Sequence, residues 1–219
     1  MRDIGHHMLK KRTSAAQVIA RAEPPEQFDG RAQRSHNSQQ RIVAAMIELV
    51  AEGNMTPSAE KVAERAEVGL RSVFRHFKDM DNLYRAISDT VALSMERFVS
   101  EPIKSIEWHD RVLELVDRRA VAFEKMTPFL RAGLLHRHRS PVLKAGQERF
   151  AKTLRHIMIG LLPAHIARDG RTVETIDLLL SFEAWHRLRD DQRLDVAKAK
   201  RVLKGAIGAL LEPHTKKTE

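Results

Sequence analysis

The 219-residue chain contains no cysteine, which excludes disulfides and thiolate metal sites and suits a reducing cytoplasm. Aromatic residues are only 5% of the chain, with two Trp and one Tyr, and β-branched residues are sparse beside Ala, Leu, Arg and Glu. That balance favours helices over sheets. Ten Gly and eight Pro are scattered, so neither a collagen-like nor a low-complexity chain fits. No apolar run approaches the roughly 20 residues that span a bilayer, and no membrane partner is expected. The basic N-terminus lacks an apolar h-region before a small-residue cleavage site, so a cytoplasmic protein is expected. With no H-E-x-x-H, Gly-rich phosphate loop or G-x-S-x-G elbow, no enzyme activity, cofactor or metal is expected.

Positive charge and apolar side chains are what the chain does have. Hydrophobic residues make up 42%, enough for a sizeable core. The formal net charge of +9 points to an anionic partner. Residues 1–37 carry seven Lys/Arg against four Asp/Glu, residues 38–100 eight against nine, and residues 101–219 23 against 16. The basic excess thus lies outside the segment with the clearest motif, whose case rests on where its charges sit.

Residues 1–37 read as a flexible basic arm, with a short helical tendency at 14–22 interrupted by Pro24, Pro25 and Gly30. Such an arm either touches a DNA groove or is a solvated tail. From Ser38, apolar positions Ile42, Ala45, Met46, Leu49 and Val50 repeat at helical spacing until Gly53. In "MTPSAEKVAERA", Thr56 is the expected N-cap and Pro57 the first helical residue, with Val62, Ala63 and Ala66 inward. After a break at 67–69 and a short helix, Asp79 can cap another helix carrying Leu83, Ile87, Val91 and Met95. Further helices are expected near 107–124, 128–138, 141–161, 172–188 and 195–211, punctuated by Pro102, Pro128, Pro141, Pro163 and Gly170. The expected fold is all-α: a three-helix helix-turn-helix domain at 38–85, then a helical bundle at 86–219.

The stretch "VGLRSVFRHFKDMDNL" (68–83) is unusual. At ~100° per residue, Val73 and Phe77 share one side with Leu70 nearby, while Arg71 and Arg75 lie opposite. Ser72 sits beside them, Phe74 and His76 on the flanks, and no acid occurs from Val68 to Lys78. Helix, tight break and short second helix form a helix-turn-helix pattern, whose second helix enters the DNA major groove. Acids there would face phosphates. Arg71 is the candidate base reader, since a guanidinium can grip guanine O6 and N7 together. Ser72 can reach a base or a phosphate. Arg75, His76 and Lys78 suit the DNA backbone, with Thr56 and Ser58 as neutral phosphate donors.

The run "TPSAEKVAERAEVGLRSVFRHFKDMDNL", with the helix before it, resembles the N-terminal domain of TetR-family transcriptional regulators. The family's recognition helix typically reads Thr-Leu-Tyr-x-His-Phe, followed two residues on by Lys-Glu-x-Leu. Ser72, Val73, Phe74, Arg75, His76 and Phe77 match the first part, and Asp81 and Leu83 keep part of the second. Phe74 stands at the DNA-contacting Tyr position without its hydroxyl, Met80 replaces the usual Lys, and Gly69 replaces a capping Ser or Thr. Losing two phosphate contacts lowers the salt dependence of binding by roughly one to two units of slope. The resemblance implies a homodimer on palindromic double-stranded operator DNA, answering to a small-molecule effector whose identity the sequence does not give.

In the C-terminal half, Ala199, Val202, Leu203, Ala206, Ile207, Leu210 and Leu211 form an apolar stripe interrupted by Gly205 and Gly208. Either the chain packs on it or a second copy does. The resemblance favours a two-fold four-helix interface from 172–188 and 195–211, with Trp185, Val202, Gly205, Ala206, Ala209 and Leu210 in contact. Phe98, Phe123, Met126, Phe129, Leu134, Phe150 and Phe182 are the candidate pocket residues, the alternative for each being plain core. His136 and His138 are two apart and diverge by ~200° on a helix, so they cannot chelate together. Two further readings stay open at this point. One is an effector-independent DNA-binding regulator; the other is a helical enzyme using Glu183 and His186.

Overall fold

The computed structural model describes residues 30–99 and 101–215, and helices are the only regular elements among them. In chain order they are α1 (Gly30–Ala51), α2 (Ala59–Arg65), α3 (Leu70–Phe77), α4 (Met80–Val99) and α5 (Trp108–His136). They continue as α6 (Pro141–Gly160), α7 (Ala164–Ala167), α8 (Gly170–Leu179), α9 (Phe182–His186) with a wide π-helical turn at Arg187–Asp191, and α10 (Val196–Thr215). None is long and apolar enough to cross a membrane. The all-α expectation holds.

Several boundaries differ from expectation, each for a local reason. α1 starts at Gly30 rather than Ser38. Its polar first turns are held by Gln33–Asn37 and His36–Gln40 side-chain hydrogen bonds at helical i,i+4 spacing. The rest of the expected arm, 1–29, lies outside the described residues. At the other end Gly53 turns the chain with φ 96°, as a glycine just past a helix commonly does. Ser58, not Thr56, caps α2, its Oγ accepting from Lys61 N at 3.4 Å, and Pro57 precedes the cap instead of opening the helix.

Pro128 does not end a helix. It sits inside α5, where a missing N–H ordinarily breaks the ladder. The Thr127 hydroxyl donates to the Phe123 carbonyl at 2.6 Å beside the gap, and buried Met126 and Phe129 hold the segment in place. The expected helix 172–188 is in fact broken at 180–181, because Ser181 Oγ caps a new helix by accepting from Ala184 N at 3.1 Å.

Two apolar clusters result. Ile42, Met46, Val62, Val73, Phe77 and Leu83 centre the N-terminal head, and Ala122, Met126 and Phe129 of α5 complete it from below. The bundle core gathers Val112, Leu115, Phe123, Leu154, Met158, Ile176, Trp185, Leu203, Ile207 and Leu211. α5 belongs to both, so it is the beam on which the head rests.

Candidate functional site

The head presents α3 as the sequence pattern requires. Val73 and Phe77 are 1% and 4% exposed, which fixes the helix's rotation and turns Arg71 and Arg75 outward. Gly69 is the N-cap and supplies no side-chain hydrogen bond, while Lys78 closes the helix with φ 50°. The turn between α2 and α3 passes through Glu67 at φ 51°, a left-handed conformation that side chains resist. Arg41 of α1 braces it, donating to the Ala66 carbonyl and, at 3.0 Å, to the Glu67 carbonyl. Nothing in the spacing of α1 marks Arg41 for this task, since its partner backbone lies 25 residues away.

The charges on α3 differ from those beside it. Arg65 forks onto Glu52 with two contacts of 2.8 Å and reaches Glu48 at 3.5 Å. Among the described residues, the side chains of Arg71 and Lys78 have no such partner, and Arg75 reaches only Ser72 Oγ at 3.3 Å. Phe74 is 45% exposed on the flank of this row. His76 does not fit its expected role as a backbone contact. Its Nε2 is enclosed without a hydrogen-bond partner, and burial, reinforced by Arg75, lowers its pKa. The cause is rotational, because His76 lies only ~60° from Val73 around the helix. Ser58 is likewise first a structural residue, capping α2 and hydrogen-bonding Glu60, and both it and Thr56 are exposed.

The bundle holds a cavity of about 570 Å³ bounded by α5, α6 and the α8–α9 break. Leu134, Phe150 and Phe182 line it, as expected, together with Leu130, Leu154, Arg119 and Ser181. Glu148, Asp177, Glu183, Arg137, His138 and Lys144 also contribute. Phe123 instead walls a smaller hollow of about 100 Å³ on the other side of Arg119, and meets Phe182 edge-on at 5.5 Å. Met126 and Phe129, contrary to expectation, line neither; they pack into the head core. The side chain of Phe98 lies outside the described residues.

Arg119 was not singled out from the sequence, yet it is 6% exposed and wedged between the two hollows. It donates to the carbonyls of Leu180 at 2.6 Å and Leu154 at 2.7 Å, tying α5 to α6 and to the helix break. Burial drives its pKa down to about 10, against a weaker opposing pull from Asp177.

No group of three or more His, Asp or Glu is placed to hold a metal ion among the described residues. His136 hydrogen-bonds the Met55 carbonyl at 2.9 Å and stacks on Tyr84 at 5.6 Å. Glu183 lines the large cavity, whereas His186 faces a separate hollow with Glu124 and Arg189.

No protein-family model and no curated protein matches the chain. Solved structures do. A transcriptional regulator from Rhodococcus sp. Rha1 aligns over 80% of this chain and 97% of its own, with TM-score 0.64 and 16% identity. A Mesorhizobium loti MAFF303099 protein provisionally named a TetR-family transcriptional regulator covers 84% and 98%, with TM-score 0.58 and 17% identity. The multidrug binding protein EbrR, complexed with imidazole, covers 80% and 89%, with TM-score 0.55 and 22% identity.

The chain has the TetR-family fold.

Within that TetR-like fold, α10 has two apolar rows. Ala199, Leu203, Ile207 and Leu211 are buried against the chain's own bundle, while Val202, Gly205, Ala206 and Ala209 are exposed. Leu178 of α8 is also 65% exposed. A Cβ built on Gly205 or Gly208 would meet nothing within 4 Å. Leu210 is half-buried and packs on the bundle core. Trp185 is a correction, because it is 2% exposed and its Nε1 donates to Glu124 at 3.0 Å inside the same chain. A second copy cannot touch it.

Proposed function

We propose that the protein is a homodimeric, ligand-responsive TetR-family repressor that binds palindromic operator DNA through α3. The observation that carries this reading is the outward row at α3, whose cations Arg71 and Lys78 are unpaired among the described residues while Arg41 and Arg65 beside it are engaged. Exposed cations with no acid among them complement phosphates. Arg71 reads a base, Arg75 and Lys78 hold the backbone, and Phe74 adds an apolar contact where the bases or sugars approach. Two copies joined through the exposed row of α10 and Leu178 of α8 would present two such helices to successive major grooves, roughly 34–36 Å apart.

The cavity supports response to a ligand. Leu134, Arg137 and His138 line it, and His136 of the same helix end bonds to Met55, just ahead of α2. A carbonyl only accepts, so Nε2 of His136 carries the proton in this contact. A ligand that displaces this end of α5 therefore pulls on the head directly, and α4 gives a second connection. Moving occupancy from nearly full to nearly empty takes a preference of ~5.5 kcal/mol for the non-binding state.

Selection of bound sites from random duplexes, with wild type and with Arg71→Ala and Arg75→Ala, tests the DNA reading. A palindromic motif is expected from wild type, a relaxed one from Arg71→Ala, and an unchanged but weaker one from Arg75→Ala. Failure of wild type to enrich any motif rejects the reading.

A further inference from the structure

The cavity in the bundle is not chemically neutral at its base. Its walls are Leu130, Leu134, Phe150, Leu154 and Phe182, while the other charged residues that line it are of both signs, all exposed except the partly buried Asp177. The one buried ionic group is Arg119, at 6% exposure. Its two hydrogen bonds go to neutral carbonyls, and among the described residues no carboxylate lies within ion-pair distance. Asp177, the acid that acts on it electrostatically, is held by Arg155 at 3.0 Å. A buried cation without a counter-ion carries a desolvation penalty that carbonyl dipoles only partly offset. A guanidinium has five N–H donors in a planar fork. Two carbonyls leave donors over.

We propose that this cavity binds an amphipathic organic carboxylate, its anionic head on Arg119 and its hydrocarbon body among the five apolar walls. The inference rests on the ligand-responsive reading only for its regulatory consequence; binding itself is independent of DNA. About 570 Å³ accommodates a medium-chain or arylalkyl acid with room to spare. The carboxylate completes the guanidinium's partners by charge-assisted hydrogen bonds, which a neutral head group cannot match.

The test is calorimetric titration of the full-length protein with decanoate, 4-phenylbutyrate and 2-naphthoate, each beside its amide, and with decyltrimethylammonium. The expected result is at least one acid binding about tenfold or more tightly than its amide. Arg119→Met should bring that acid down to its amide's affinity, and Arg119→Lys should keep part of the preference. Because Arg119→Met removes a buried bridge and can unfold the bundle, Leu134→Trp serves as the second variant, filling the cavity from a half-exposed position and abolishing binding. If no acid of the set exceeds its amide, or the ammonium binds best, the proposal is overturned. A separate operator-release assay distinguishes the two readings. Acid-selective binding without release upholds the site and rejects its regulatory role, whereas release by neutral or cationic compounds alone does the reverse.

Discussion

Both α3 and α10 press one apolar row into their own chain and leave the opposite row uncovered. In α3 the inward row is Val73 and Phe77, and the outward row is Arg71 and Arg75, continued by Lys78 at the C-cap. In α10 the inward row is Ala199, Leu203, Ile207 and Leu211, and the outward row is Val202, Gly205, Ala206 and Ala209. The inward rows do the same job, fixing rotation and burying area at roughly 25 cal/mol per Å². The outward rows differ in chemistry, and under the proposed function that difference selects the partner. Hydrated cations lose little in water and gain when they displace counterions from a phosphate backbone. Small apolar residues gain only where another surface excludes water from them, and the missing side chains of Gly205 and Gly208 let a helix come close.

The comparison breaks most sharply if charge is placed on the apolar row. Val202→Glu with Ala206→Glu should weaken the proposed self-association by about a hundredfold or more, since it puts like charges into the proposed seam; sedimentation would show monomers that no longer hold a palindromic duplex. An unchanged dimer would remove α10 from the interface. Next comes the contrast within α3. Phe77→Ala should cost about 3–5 kcal/mol in urea unfolding as a core truncation, whereas Phe74→Ala should stay within about 0.5 kcal/mol and weaken only DNA binding.

Arg71→Ala should lose about 1–3 kcal/mol of discrimination at one base pair of each half-site, read by competition with single-base operator variants. Arg75→Ala and Lys78→Ala should each lower the salt slope of binding by about one unit without changing the preferred site. Arg155→Ala is the control, because that arginine is already paired with Glu174 and Asp177 and should leave the slope alone. The smallest effect concerns the loop ahead of α5. Backbone and side-chain hydrogen bonds from Ser105, then Lys104 N and Arg118, hold Glu114 down at about 2 from an ordinary 4.5. A depressed carboxylate stabilises fully above its unfolded value, so the attachment should weaken as pH falls from about 4.5 through about 2. Hydrogen exchange at the Lys104 and Ser105 amides would report it, and unchanged protection at pH 2 would discount Glu114.

Local periodicity made much of this legible. Val73 and Phe77 at helical spacing announce which way α3 faces, and the leucines and alanines of α10 announce an apolar helix. Sequence spacing could not separate the two rows of α10, because both are apolar and only the packing of α5 decides which is covered. The resemblance placed Trp185 at the interface, although Glu124 and the bundle core enclose it. Met126 and Phe129 look like pocket residues in one dimension, yet α5 continues past Pro128 and carries them under the head.

The sequence by itself determined the helical class, the helix-turn-helix pattern and the acid-free row on α3, since each depends on residues within one or two turns of one another. Only the tertiary structure decided what lies far apart in the chain. It brought Arg41 under the turn at Glu67, His136 onto Met55, and Arg119 between the Leu154 and Leu180 carbonyls at the base of the cavity. Those contacts span from 25 to 81 residues. No periodic signal reaches across such separations, because the partners meet only after the helices have packed.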